Sequence, residues 1–146
     1  MVRFLIHMAA GVLVLLSAGC NKPDSLPNMV PVHGTVSYNG VPLEHGTIAF
    51  APDDETHGMS AVGKIKNGVF EMITTSSSPG VQVGKYKVAI TSLEVDPNAP
   101  QEMPPPGTVI APPKSLIPEK YTKISTSGIE IEVKPSMAAL KYELTD

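Results

Sequence analysis

The sequence predicts an all-β fold, a seven-stranded antiparallel β-sandwich, and three observations carry that reading. Apolar residues beyond position 31 recur with a period of two rather than 3.6, and the alternation restarts about seven times. Two Asn-Gly dipeptides, Asn39-Gly40 and Asn67-Gly68, fall between alternating runs, where a tight hairpin turn requires positive φ at both central positions. The chain carries 15 prolines in 146 residues, and no stretch after the N-terminal segment keeps a helical period. A sheet that is apolar on one face must bury that face against another layer, so two packed sheets are the expected arrangement.

The elements follow in order. Val32, Gly34, Val36 and Tyr38 alternate with His33, Thr35 and Ser37, after which Asn39-Gly40 turns the chain. From Gly46 to Ala51, Ile48 and Phe50 share one face and Thr47 and Ala49 the other. Ala61, Gly63 and Ile65 alternate with Val62, Lys64 and Lys66, and Asn67-Gly68 leads into Phe70 and Met72. The clearest strand runs from Gly84 to Thr91, with Tyr86, Val88 and Ile90 opposite Lys85, Lys87 and Ala89. Ile129, Ile131 and Val133 alternate with Glu130, Glu132 and Lys134, and a last strand sets Leu140, Tyr142 and Leu144 against Lys141 and Glu143. Pro135 to Ala138 link these two.

Between Glu94 and Pro118 the alternation stops. Eight prolines in this 94–118 connection make it stiff and poor in backbone donors, unsuited to sheet pairing. A connection of this length in a compact domain is either a solvated spacer or a docking strip for a partner.

The N-terminus reads as an address. Arg3 and the free amine precede an apolar run from Phe4 to Leu16, the pattern of a signal peptide. Thirteen residues fall short of the roughly 20 that a helix needs to cross a ~30 Å hydrocarbon core. Leu16, Ser17, Ala18 and Gly19 lead into Cys20, the single cysteine of the chain. This stretch resembles the lipobox of bacterial lipoproteins, although Ser17 stands where that family most often has leucine. The resemblance implies that the signal peptide spans residues 1–19 and that Cys20 receives a diacylglycerol on its sulfur. It also implies that the new amine takes a further acyl chain such as palmitate. One acyl chain binds membranes marginally, whereas two or three anchor stably. Residues 20–31, rich in proline and without apolar periodicity, then form a lipidated tether. The folded domain is expected over 32–146.

With the strands placed, a second resemblance emerges. Val32-x-Gly34-x-Val36-Ser37-Tyr38-Asn39-Gly40-x-Pro42-Leu43, followed by Gly46-x-Ile48-x-Phe50-x-Pro52, resembles the carboxypeptidase regulatory-like (transthyretin-like) domains. Gly68-x-Phe70, Gly84-x-Tyr86-x-Val88, Pro118-x-Lys120-Tyr121 and the stretch from Ser127 to Leu144 extend the likeness over the whole domain. Together with the lipobox, the pattern is similar to small lipoproteins of this class from planctomycete bacteria. The resemblance implies an immunoglobulin-like or prealbumin-like sandwich with an accessory role, and it transfers no catalytic residue. Transthyretin-related hydrolases that open a purine-derived ring share the fold but end in Tyr-Arg-Gly-Ser. This chain ends Glu143-Leu144-Thr145-Asp146, and its mature part holds no arginine.

Charge and side-chain chemistry narrow the function classes. A net charge of -3, more acidic by one once Arg3 is removed, provides no basic field for nucleic acid. His33, His45 and His57 lie apart and lack metal-ligand spacing, so neither metal nor cofactor is expected. Asp53-Asp54-Glu55-Thr56-His57 is the densest polar cluster but lacks the ligand spacing and turn glycine of a calcium loop. Ser76-Ser77-Ser78-Pro79-Gly80 contains no nucleophile elbow, and no serine or cysteine stands in a pattern that pairs it with a base, which argues against an enzyme. A glycan platform would need exposed rings. The chain has no tryptophan, Tyr38, Tyr86 and Tyr142 fall on the inward phase, and only Tyr121 is left for that role. The expected protein is therefore a non-catalytic structural or interaction module of the cell envelope. It would be held at the cell membrane or outer membrane by acylated Cys20, facing periplasm or exterior, with membrane lipid and an envelope protein as its partners. The alternative is a surface module that binds glycans or peptides.

Overall fold

The computed structural model describes residue 26 and residues 28–53, 58–75, 78–95 and 113–146. Cys20, the expected lipobox residues Leu16 to Gly19, His57 and most of the 94–118 connection lie outside the described residues, and so does the expected signal peptide. Among the described residues no helix is long and apolar enough to cross a membrane.

The fold is an all-β sandwich. Its strands are β1 (Met29–Val30), β2 (His33–Tyr38), β3 (Val41–Pro42), β4 (His45–Pro52), β5 (Ala61–Lys66), β6 (Val69–Thr75), β7 (Ser78–Pro79), β8 (Val81–Gln82), β9 (Gly84–Thr91), β10 (Ile129–Val133) and β11 (Leu140–Leu144). The seven longer strands are those the alternation predicts. They form one hydrogen-bonded series, β10-β9-β4-β5-β6-β2-β11, with β3 on β2 and β7 on β6. This series curls so that its inner faces pack on one another. Val36, Ile48, Phe50, Ile65, Phe70, Met72, Tyr86, Val88, Ile90, Val133 and Leu144 share a single core. Phe50 and Tyr86 stack obliquely at 6.1 Å in one half, and Phe70 and Tyr142 at 6.0 Å in the other.

Both Asn-Gly turns form as expected. Asn39 and Gly40 take φ of 48° and 80°, and Asn67 and Gly68 take 49° and 78°, left-handed values that let a two-residue turn follow the twist of its strands. The first joins β2 to β3 and the second joins β5 to β6.

Two details differ from the sequence reading. The last strand is not antiparallel: β11 runs parallel to β2, with Leu140 opposite Gly34 and Leu144 opposite Tyr38. A parallel partner requires a long crossover, and the chain between β2 and β11 contains all the intervening strands. The fold also begins before Val32. Met29 and Val30 pair with Gln82 and Val81, Val30 is buried, and the Leu26 N–H donates to Ser78 Oγ at 3.2 Å. Residues 28–31 of the expected tether thus belong to the domain, because Met29-Val30 supplies two apolar residues that can complete the core beside β8.

The registers sort the loops into two ends. The entry end holds β1, the close of β4 and β6, the start of β9 and the link from β10 to β11. The far end holds the Asn39-Gly40 and Asn67-Gly68 turns, the close of β9, a short 3-10 turn at Glu119–Thr122 and the close of β11. The proline-rich connection leaves from and returns to this far end. Its limits are paired after all, since Glu94 N–H donates to Lys114 O at 2.8 Å and Leu116 N–H to Ser92 O at 2.9 Å. The residues doing so are not prolines and retain their donors.

Candidate functional site

The polar residues singled out by the sequence are dispersed. His33 is exposed at the start of β2, near the entry end, while His45 opens β4 at the far end. His45 Nε2 lies 2.7 Å from the carbonyl oxygen of Leu93, and Ser92 Oγ donates to the His45 carbonyl at 2.7 Å. These contacts tie β4 to the base of the proline-rich connection, and the imidazole serves the fold there. Asp53 forms an ion pair with Lys87 at 3.0 Å on the outer surface; Asp54, Glu55, Thr56 and His57 lie outside the described residues. Of the serine turn, Ser78 is buried and accepts from Leu26, and Ser76 and Ser77 are not described. Among the described residues no three His, Cys, Asp or Glu side chains gather as a metal site would require.

Among the described residues a polar cluster gathers at the far end, and the sequence reading missed it. Tyr38 donates its hydroxyl to one carboxylate oxygen of Asp146, and Asn39 Nδ2 donates to the other at 3.1 Å. Asn39 N–H also donates to Leu144 O at 2.9 Å, so the β2 turn grips the end of β11 through both backbone and side chain. Beside it, the Tyr121 hydroxyl donates to Thr145 O at 3.0 Å and accepts from Thr145 N–H at 3.3 Å. Lys120 Nζ stands 5.0 Å from the centre of the Tyr121 ring. The 3-10 turn sets Tyr121 and Lys120 in this position.

The electrostatics follow from these bonds. Hydrogen bonds from Tyr38 and then Asn39 hold the Asp146 carboxyl below the ordinary carboxylate value, and the nearby Lys120 charge acts the same way. The same bond to Asp146, with some desolvation, raises the Tyr38 hydroxyl, because ionising it would place two negative charges together. The backbone of Thr145 is the main cause that lowers Tyr121. The hydrogen bonds that involve these groups join one part of the chain to another. The arrangement is a latch for the C-terminal strand. Its signal was hidden because Asp146 and Tyr38 are 108 positions apart. Tyr121, expected as the ring open to a sugar, is half-buried with its hydroxyl engaged by Thr145.

The remaining surface has two features of note. On the outer face of β5, β6 and β2, a depression of about 540 Å³ is lined by His33, Lys64, Lys66, Val69, Phe70 and Glu71. At the sheet's end, among the described residues, β11 pairs with a strand on one side only. Because Leu144 O accepts from Asn39, the alternation of a parallel ladder turns the backbone groups of Leu140, Tyr142 and Leu144 toward β2. Those of Lys141 and Glu143 point to the open edge. Thr145, next in that row, is capped by Tyr121.

Compared with known proteins, the chain matches no family model, no curated protein and no solved structure. The functional reading therefore rests on its own residues.

Proposed function

We propose that the chain is a membrane-anchored bacterial lipoprotein whose β-sandwich acts as a non-catalytic structural or interaction module of the cell envelope. The observation that carries this reading is the run Leu16-Ser17-Ala18-Gly19-Cys20 directly after a thirteen-residue apolar segment headed by Arg3. A free thiol in an exported protein is a liability, and acylation of Cys20 removes it. The acidic, helix-poor domain with a likeness to carboxypeptidase regulatory-like modules suits an accessory role. So does a far-end polar cluster spent on holding β11 rather than on reacting groups. In this account the membrane is the cell membrane or outer membrane and the domain faces periplasm or exterior.

One observation favours a second reading, the binding of an extended peptide. The outward backbone groups of Lys141 and Glu143 on β11 offer a strand-addition site, in which main-chain hydrogen bonds supply affinity. Lys141→Pro removes one outward N–H without touching the ladder to β2, so capture of a peptide partner would be lost while the domain stayed folded.

Growth of a bacterial host with an alkyne-bearing fatty acid tests the principal reading. Wild type takes up the label and Cys20→Ser does not. Labelling that persists in Cys20→Ser, or fails in both, contradicts it.

A further inference from the structure

The length of chain between Cys20 and the first anchored residue constrains how the domain can meet a bilayer. The point of attachment is not Val32 but Leu26, whose N–H is held by Ser78 Oγ, followed by the β1–β8 pairing. Six residue steps from Cys20 to Leu26 span at most about 20 Å, and a relaxed chain of that length has a root-mean-square span of about 14 Å. The longest strands between the two ends, β4 and β9, are longer than this. The eight residues of β4 extend for about 23 Å. A tether rooted in the lipid headgroups by its acyl chains therefore brings the entry end to the surface. Even fully extended it falls short of the length of β4, so the far end does not reach the surface along the strands.

We propose that the entry end of the domain rests on the lipid surface, with the exposed side chains of Met59 and Val83 in the headgroup layer. The far end, with the paired base of the proline-rich connection and the Tyr38–Asp146 latch, faces away from the membrane. The proposal rests on acylation of Cys20. Met59 and Val83 flank the point of entry: Val83 N–H donates to Asn28 O at 3.2 Å, and Met59 N–H to Gln82 Oε1 at 3.2 Å. Apolar exposure alone would not select this end. Val41 and Val69 at the far end are 67% and 57% exposed, against 46% for Met59 and 40% for Val83. The tether length decides between them. The consequence is that the paired base of the connection and the β11 terminus face the periplasm or exterior, where a partner would meet them.

The test uses the full-length acylated protein in vesicles of phosphatidylethanolamine and phosphatidylglycerol. Acylated Cys20 leaves no free thiol, so Met59→Cys, Val83→Cys, Val41→Cys and Val69→Cys each present one site for a fluorophore. Nitroxide lipids labelled at the headgroup are expected to quench positions 59 and 83 several-fold more strongly than 41 and 69, and an aqueous quencher is expected to show the reverse order. On the unsubstituted protein, vesicles should slow amide hydrogen exchange at 80–84 but not at 39–41. Equal quenching at both ends, or stronger lipid quenching at 41 and 69, in protein that sediments with the vesicles overturns the orientation. Protein that is unacylated and stays in the supernatant instead refutes the anchor, and the orientation falls with it.

Discussion

Gly34 faces Leu140 across the parallel ladder of β2 and β11, and a Cβ on Gly34 would press into the Leu140 carbonyl. The close approach of these two backbones is what lets the last strand join the sheet beside the first long one. Leu144, four residues on, is buried in the core as a result.

Gly34→Ala should therefore loosen β11. Overpacking of a close backbone contact typically costs about 1–3 kcal/mol, and a lower urea midpoint is the expected reading. A midpoint equal to wild type would mean that the two strands are further apart than described.

The Tyr38–Asp146 bond predicts a pH dependence with a definite sign. Asp146 is a stronger acid in the fold than its ordinary value of 3.8, so the folded state binds fewer protons across that window. Its contribution is complete above the unfolded value and is lost as pH falls through the lower folded value. In Tyr38→Phe the melting temperature should fall less steeply with acid than in wild type. Parallel curves for the two proteins would exclude the latch as a source of acid sensitivity.

Val30 should behave as a core residue rather than as part of a spacer. Val30→Ala removes buried methyl groups from beside Val81 and should cost about 1–3 kcal/mol in a denaturant titration. The same change at exposed Val41 should lie within about 0.5 kcal/mol of wild type.

Two tyrosines invite a substitution in the stabilising direction. The hydroxyls of Tyr86 and Tyr142 are buried without a hydrogen-bond partner among the described residues, and burial pushes Tyr142 up to about 12. A raised folded value means that this contribution holds below the ordinary tyrosine range and is lost as pH rises through the folded one. Tyr142→Phe should be neutral or more stable at pH 7 by up to about 1 kcal/mol, and should weaken the alkaline destabilisation. A clear loss of stability on thermal melting would reveal a partner for the hydroxyl.

What the sequence disclosed depended on how local each signal is. The alternation of Tyr86, Val88 and Ile90 or of Ile129, Ile131 and Val133 is written in adjacent residues, and these strands form where expected. The Asn39-Gly40 and Asn67-Gly68 turns are equally local, since both residues must accept positive φ. The direction of β11 was not legible, because it depends on a meeting of Gly34 with Leu140 that no local pattern encodes. Met29-Val30 is too short to display a period, and the reading of 20–31 as tether missed its pairing with β8. The latch was hidden for the same reason as β11: Asp146 gains its partners only when the last strand has docked beside the first. The proposed functional reading rests on the likeness of the local run Leu16 to Cys20 to a lipobox, which the described part of the fold does not include.

That reading is tested most directly by the intact mass of the protein recovered from bacterial membranes, beside Cys20→Ser. The account predicts that wild type begins at Cys20, carries a diacylglyceryl group and a further acyl chain, and sediments with membranes, while Cys20→Ser does neither. A wild-type protein that is soluble, unacylated and bears a free thiol at Cys20 would contradict it.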